Sequence, residues 1–285
     1  MSRRPAAVLL AVLPAVLLAV SLALSLAACS GGDAPSADPD PAPSSTAPAP
    51  PPTAAPAPEP AERACYRLAY DEALAPTNDR RPVDCSRTHT SVTFAVGRLD
   101  TVVDGHLLAV DADRVQAQVA STCPRRLASF LGGTIEDRRL SMLRAVWFTP
   151  DVEQSDTGAS WYRCDVVALA ADGELAPLAG RLEGVLDRPE ERERYAMCGT
   201  AEPGTRAFDR VICSARHSWR AIAVVPLPAG DYPGEKAVRA AGEGPCRDAG
   251  AGAADDTLDY QWGYEWPSAE QWAAGQRYGR CWAPD

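Results

Sequence analysis

The pattern of hydrophobic and polar positions predicts a module built from strands, one helix and further strands. Apolar residues alternate at Val92, Phe94 and Val96, which is the period of a half-buried strand. From about 112 to 131 they recur at every third or fourth position, as in an amphipathic helix. Pro124 lies inside this helix and is expected to kink or split it. Strand-like runs follow the helix at 143–148 and 161–169.

The second half of the chain repeats this pattern. Residues 150–164 and 267–281 align without a gap and share Pro, Glu, Gln, Gly, Arg and Cys at the same positions. The second helix is expected to be the weaker one, because it contains Gly242, Gly244 and Pro245. We therefore predict an α+β fold of two tandem modules, each with an antiparallel sheet and one main helix. The modules are predicted at 61–170 and 194–285, joined by a connector at 171–193.

Each module carries four cysteines, which we expect to form disulfide bonds. The first pair of each module would flank a hairpin, such as the one predicted between strands at 65–68 and 81–84, and the second would tie the helix to the last strand. The expected pairs are Cys65–Cys85, Cys123–Cys164, Cys198–Cys213 and Cys246–Cys281. Other connectivities remain open from the sequence alone. A zinc site is the less favoured alternative, because the chain has no Cys-x-x-Cys motif.

The N-terminal region has the pattern of a secretion signal. Residues 1–28 contain Arg3 and Arg4, followed by an apolar run that ends in Leu-Ala-Ala before Cys29. This ending resembles the bacterial lipobox, in which the cysteine is acylated and anchors the protein to the membrane. A plain transmembrane anchor is the alternative. Residues 29–60 are rich in Ala and Pro and are predicted to be a disordered tether.

The charge of the chain limits its partners. The formal net charge is -10 at pH 7. Nucleic acids and anionic lipid surfaces both require a basic face, so we expect neither to bind the folded part. Disulfide bonds require an oxidising compartment, which agrees with export to the extracytoplasmic side of the membrane.

Two histidines are the main candidates for chemistry. His89 and His217 each follow a cysteine by four residues, at matching positions of the two modules. One histidine per module provides no cluster, and each is expected to hydrogen-bond the backbone at the start of a strand. No catalytic, metal or cofactor motif is found, so we predict no catalytic residues, metal or cofactor. The recurring pairs Glu153 with Arg163 and Glu270 with Arg280 are interpreted as salt bridges or turns that determine the fold.

An aromatic segment in the second module is a further candidate. Tyr260, Trp262, Tyr264 and Trp266 alternate and would share one face of a strand. If exposed, this face would bind sugar rings or a partner protein. If the helix covers it, it belongs to the core, which is the interpretation we favour.

Several motifs together resemble the actinobacterial septum formation family of envelope proteins. They are Cys85 to His89, Pro150 to Cys164, Asp231-Tyr232-Pro233-Gly234, Cys246, Trp266-Pro267 and Gly275 to Cys281. In that family a Glu-Val pair usually follows the histidine, whereas Val92-Thr93 and Arg220-Ala221 stand there in this chain. The resemblance implies an envelope protein linked to division septa and carries over no catalytic residue.

The expected function is that of a lipid-anchored extracytoplasmic protein of the cell membrane. We predict a non-enzymatic binding or scaffold role in the envelope, with an envelope protein or a cell-wall component as the unidentified partner. The alternatives are a hydrolase or transferase that acts on envelope polymers, suggested by His89, His217 and the aromatic strand, and a ligand-sensing domain.

Overall fold

The computed structural model describes residues 58–285. The predicted signal peptide, the lipidation site Cys29 and all but the last three residues of the tether lie outside the described residues. The strands are β1 (Cys65–Tyr66), β2 (Ser91–Arg98), β3 (Val102–Val103), β4 (His106–Leu107), β5 (Leu143–Phe148), β6 (Trp161–Ala171), β7 (Glu174–Ala176), β8 (Met197–Gly199), β9 (Arg210–Ile212), β10 (Trp219–Pro226), β11 (Gly263–Glu265) and β12 (Tyr278–Pro284). The helices are α1 (Tyr70–Leu74), α2 (Asp113–Leu131), α3 (Ile135–Arg139), α4 (Val152–Asp156), α5 (Pro189–Arg194), α6 (Glu235–Ala253) and α7 (Ala269–Ala273). Within 58–285, none of these helices has the length and apolar composition that a membrane crossing requires.

The first sheet is antiparallel and has the strand order β1-β2-β6-β5, with β7 added to β6. Helix α2 packs on it through residues spaced at helical intervals, namely Val115, Val119, Cys123, Leu127 and Leu131, all of which are buried. The helix ends before Gly132, whose φ of 71° lies in a region that favours glycine. The helix predicted at 112–131 is therefore present and runs without interruption through Pro124.

The second sheet has the order β11-β12-β10-β8-β9 and carries helix α6. Contrary to expectation, α6 is as long as α2, and Pro245 lies inside it as Pro124 lies inside α2. The intrinsic cost of proline and glycine is outweighed here by packing of the helix on the sheet and by its disulfide bond.

The two sheets share the same irregularity. Between β2 and β6 the register shifts just before Ala95, which lies opposite Cys164. Between β10 and β12 it shifts just before Ala223, which lies opposite Cys281. Phe94 and Ile222 are thus the residues at the bulge of each pairing. The equivalence of the two halves, proposed from residue identities, therefore extends to the strand register.

Four disulfide bonds cross-link the described part. They are Cys65–Cys85, Cys123–Cys164, Cys198–Cys213 and Cys246–Cys281. This is the pairing that the order of the cysteines favoured. The hairpin expected around the first bond is reduced, because β1 covers only Cys65–Tyr66 and the returning segment makes a single bridge, from Val83 to Cys65.

The repeated blocks at 150–164 and 267–281 have a local structural explanation. Gln154 and Gln271 are the third residues of short helices and complete capping boxes, together with Asp151 and Ser268. The glycine four residues after each glutamine has a φ near +95° (96° and 95°). The shared Gln and Gly are therefore turn-forming residues.

One hydrophobic core joins both sheets. Leu131 and Leu143 of the first half belong to the same buried cluster as Met197, Trp219 and Trp282 of the second. Backbone hydrogen bonds connect the halves directly: the amide of Met142 donates to the carbonyl of Tyr195, and that of Met197 donates to Leu140, both at 2.8 Å. Residues 58–285 accordingly lie within one compact unit.

Candidate functional site

The two histidines adopt the same backbone interaction. The Nδ1–H of His89 donates to the carbonyl of Arg87 at 2.8 Å, and that of His217 donates to the carbonyl of Ala215 at 2.7 Å. His89 is buried, with 4% of its surface exposed, and it lines a cavity of about 380 Å³ beside the Cys65–Cys85 bond. Both histidines thus bond the turn that precedes a long strand.

His217 also belongs to a surface charge cluster. Its Nε2 lies 3.0 Å from the Oδ2 atom of Asp285, which also accepts a hydrogen bond from Nε of Arg220 at 2.7 Å. Burial favours the neutral carboxyl, but Arg220 and His217 outweigh it and lower the pKa of Asp285 below its ordinary 3.8. The Sγ of Cys198 lies 4.0 Å away, yet it is bonded to Cys213 and offers no thiolate to a metal.

The aromatic segment packs under helix α6. Tyr264 is buried, and its hydroxyl donates to the carbonyl of Val238 on α6 at 3.2 Å. Burial raises the pKa of Tyr264 to about 12. Trp262 and Trp266 are half-buried against the same cluster. Tyr260 lies before β11, which covers only Gly263–Glu265, and it lines a separate cavity, so the predicted strand of four aromatics was too long.

Of the two interpretations of the repeated Glu and Arg positions, salt bridge or turn, the salt bridge was wrong. The carboxylate partner of Arg163 is Asp165, with 3.1 Å between Nε and Oδ1. The partner of Arg280 is Glu265, at 3.5 Å from Nη1. Glu153 and its counterpart lie exposed on the short helices α4 and α7. Asp165 lies just after the first aligned block on the same strand, and Glu265 lies on the strand paired with that of Arg280, so the aligned blocks contain neither partner.

A cavity between the two sheets is the candidate that the sequence did not indicate. It has a volume of about 470 Å³ and is lined by residues of both halves. We call it the arginine cavity, defined by Tyr70, Arg144, Phe208, Arg210 and Glu265. Its wall is formed where β5 and β6 of the first sheet approach β9 and β11 of the second. The packing of the two halves therefore creates it.

Two arginine side chains, those of Arg144 and Arg210, line the inner wall of this cavity. Arg210 and the buried Arg280 share one carboxylate, that of Glu265. Arg144 has no carboxylate within 4.0 Å among residues 58–285. Burial, together with repulsion from the neighbouring guanidinium groups, lowers the pKa values of Arg144 and Arg210 to about 10. The lining thus holds the guanidinium groups of Arg144 and Arg210 together with the carboxylates of Glu265, Asp172 and Asp209, while Arg280 pairs with Glu265 without lining the cavity itself.

Backbone contacts hold Arg144 in place. Its Nη1 donates to the carbonyls of Ser141 and Leu143, both at 2.8 Å. The Nε atom of Arg210 is buried and has no hydrogen-bond partner in the described part. The one sequence signal for this site is Arg144 itself, a charge within the apolar run Leu143–Phe148. A charged residue near the start of a partly buried strand requires a partner or a function.

Residues 141–281 match the model of the family described as septum formation. This match assigns residues 141–281 to the septum formation family. No curated protein and no solved structure matches the chain.

The septum formation match includes the arginine cavity almost completely. It begins just before β5 and ends at Cys281, so it contains Arg144, Arg210, Glu265 and Arg280. It also contains His217 but not His89. A preformed concave site with convergent cationic groups is suited to bind a ligand.

Proposed function

We propose that the protein is an extracytoplasmic lipoprotein of the cell envelope with a non-enzymatic binding role in septum formation. The anchor would be a lipid on Cys29, and the partner an envelope protein or a cell-wall component. The septum formation family assignment supports a role in cell division or the envelope. The observation that carries the binding role is the arginine cavity, which is built from both sheets and is present without any rearrangement.

The proposed anchor rests on the N-terminal sequence. Residues 1–28 have the pattern of a signal peptide that ends at a lipobox-like cysteine. The four disulfide bonds agree with residence outside the cytosol. A Cys29→Ala variant should appear in the culture medium, whereas an unchanged membrane fraction would refute the anchor.

We also propose that the two halves are tandem modules, at 61–170 and 194–285. The shared bulge, the matching disulfide bonds and the two capping boxes support a common origin. The modules would not be independent in this protein, because their hydrophobic core is continuous. The connector 171–193 takes part in that core through Leu182, Val185 and Leu186.

The role is proposed to be non-enzymatic because the candidate residues are engaged structurally. Both ring nitrogens of His217 face acceptors, the carbonyl of Ala215 and the carboxylate of Asp285. Three of the four aromatic residues that suggested a sugar platform, Trp262, Tyr264 and Trp266, pack in one cluster with Val238 of α6. A ligand-sensing role is the second candidate, favoured by the arginine cavity, and a ligand-dependent rise in melting temperature would support it.

The experiment for the septal role is localisation in dividing cells. The full chain would carry a fluorophore that matures outside the cytoplasm, and its position would be compared with that of the Cys29→Ala variant. Enrichment at the septum that requires Cys29 supports the proposal. Uniform labelling of the envelope would contradict the septal part of the proposal.

A further inference from the structure

We infer that the arginine cavity binds a compact ligand through one oxyanionic group, a carboxylate or a phosphate. This inference deepens the proposed binding role and rests on it. The evidence is the convergence of Arg144 and Arg210, which come from different sheets, on one cavity in which both keep N–H donors without a partner in the described part. A bound anion would accept hydrogen bonds from both guanidinium groups.

Three guanidinium groups act on one another at the inner end of the cavity. Arg210 and Arg280 both contact Glu265, which can neutralise only one of them. Arg144 comes from the other sheet, has no carboxylate contact among residues 58–285, and is repelled by the like charges of Arg280 and Arg210. Like charges that are held together at the edge of a core are costly. An anionic ligand between them removes that cost.

Arg144 and Arg210 both have hydrogen-bond donors that are free to bind a ligand. The Nη1 atom of Arg144 is committed to two backbone carbonyls, which fixes the plane of the guanidinium group. Within the described part, no residue accepts a hydrogen bond from its Nε or Nη2 atoms. The buried Nε of Arg210 has no partner either. Guanidinium groups with free N–H donors bind carboxylate and phosphate through paired hydrogen bonds.

The lining and the volume of the cavity limit the size and charge of the ligand. Asp172 and Asp209 are exposed and line the outer part of the cavity. They would repel a polyanion that extends out of the cavity, but not a single anionic group that reaches the inner wall. Tyr70 and Phe208 offer apolar contact to the body of the ligand. The cavity of about 470 Å³ has the volume of a small-molecule site.

The test is titration calorimetry of the purified full chain with acetate and, separately, with inorganic phosphate. Arg144→Met removes one guanidinium while keeping a long side chain, and Arg210→Gln removes the other at the more exposed position. Arg114→Met is the control, because Arg114 is an exposed residue that pairs with Asp104 away from the cavity. Circular dichroism and melting curves verify that each variant is folded, and Arg210→Gln decides if Arg144→Met does not fold.

The expected result is saturable binding of at least one of the two anions. Either cavity variant should weaken it by about tenfold or more, and Arg114→Met should leave it unchanged. The arm that binds identifies carboxylate or phosphate as the recognised group. No binding by the wild type, or equal binding by the cavity variants, would overturn the inference. Septal localisation combined with absent anion binding would leave the proposed function standing and remove only this inference.

Discussion

Arg163 on β6 and Arg280 on β12 occupy the same position in the two sheets, one residue before a disulfide-bonded cysteine. Each lies opposite a valine of the neighbouring strand, just after the shared bulge. Their partners differ, because Asp165 lies two residues further along the same strand and Glu265 lies on the adjacent strand. In the second sheet the buried Trp282 replaces Asp165. The buried carboxylate of Asp165 and the buried apolar side chain of Trp282 thus occupy equivalent places.

The first prediction concerns the buried pair Arg163–Asp165. Asp165 accepts hydrogen bonds from the hydroxyls of Ser91 and Thr93, both at 2.7 Å, and all four side chains are buried. Asp165→Asn leaves Arg163 charged without a counter-ion and should lower the free energy of unfolding by about 3 to 5 kcal/mol. Chemical denaturation of the variant and the wild type measures the difference.

A double variant is the control for this pair. Arg163→Met with Asp165→Leu replaces both charges by apolar groups and should recover part of the loss, since a buried ion pair contributes little net stability. A cost of Asp165→Asn below about 1 kcal/mol would show that the pair is not buried as described.

The second prediction compares two glycines of α6. A Cβ atom on Gly242 would lie 2.0 Å from the ring of Tyr264, whereas a Cβ on Gly244 would meet no atom within 4 Å. Gly242→Ala should therefore destabilise the protein by about 1 to 3 kcal/mol through overpacking. Gly244→Ala should stabilise it by about 0.5 to 1 kcal/mol, because alanine favours the helix. Melting curves of both variants test the prediction, and equal effects would refute the contact between α6 and β11.

The third prediction is a pH dependence at Asp285. Its pKa in the folded protein is lowered, so the unfolded state binds the proton more readily, and its stabilising effect is present above pH 3.8. The effect is lost as the pH falls through the lower folded pKa. Asp285→Asn should therefore be less stable than the wild type at neutral pH, and the difference should shrink below pH 3.8.

Unfolding midpoints at neutral and at acidic pH check this expectation. Asp248→Asn is the matched control, because Asp248 is exposed on α6 and makes no ion pair within the described part. It should change stability little at either pH. A difference for Asp285→Asn that persists unchanged at low pH would exclude the carboxylate charge as its cause.

The fourth prediction is that the two halves unfold together. The core that joins Leu131 and Leu143 to Met197 and Trp282 cannot be divided without exposing both sheets. Calorimetry of the disulfide-bonded protein should give one transition. Two resolved transitions would show that each module is stable alone.

The sequence predicted what depends on local periodicity and on matched spacing. The bounds of α2 and β5 followed from the apolar period, and the disulfide pairs followed from the order of the cysteines in two related halves. The inward face of β2 did not follow. Val92, Phe94 and Val96 are only half-buried, while Ser91 and Thr93 are fully buried because Asp165 satisfies their hydroxyls. From the sequence alone, a polar residue in a strand is predicted to face solvent, because the distant residue that would accept its hydrogen bond is not known.

By itself the sequence determined the mixed helix-and-strand character, the repeated residue spacing, the cysteine framework and the family resemblance, because these depend on residues close together or on repeated spacing. The tertiary structure alone decided which carboxylate pairs with each arginine and that Arg144 and Arg210 line one cavity. Arg144 and Arg210 lie on strands of different sheets. Their proximity results from the packing of one sheet against the other, which no local pattern encodes.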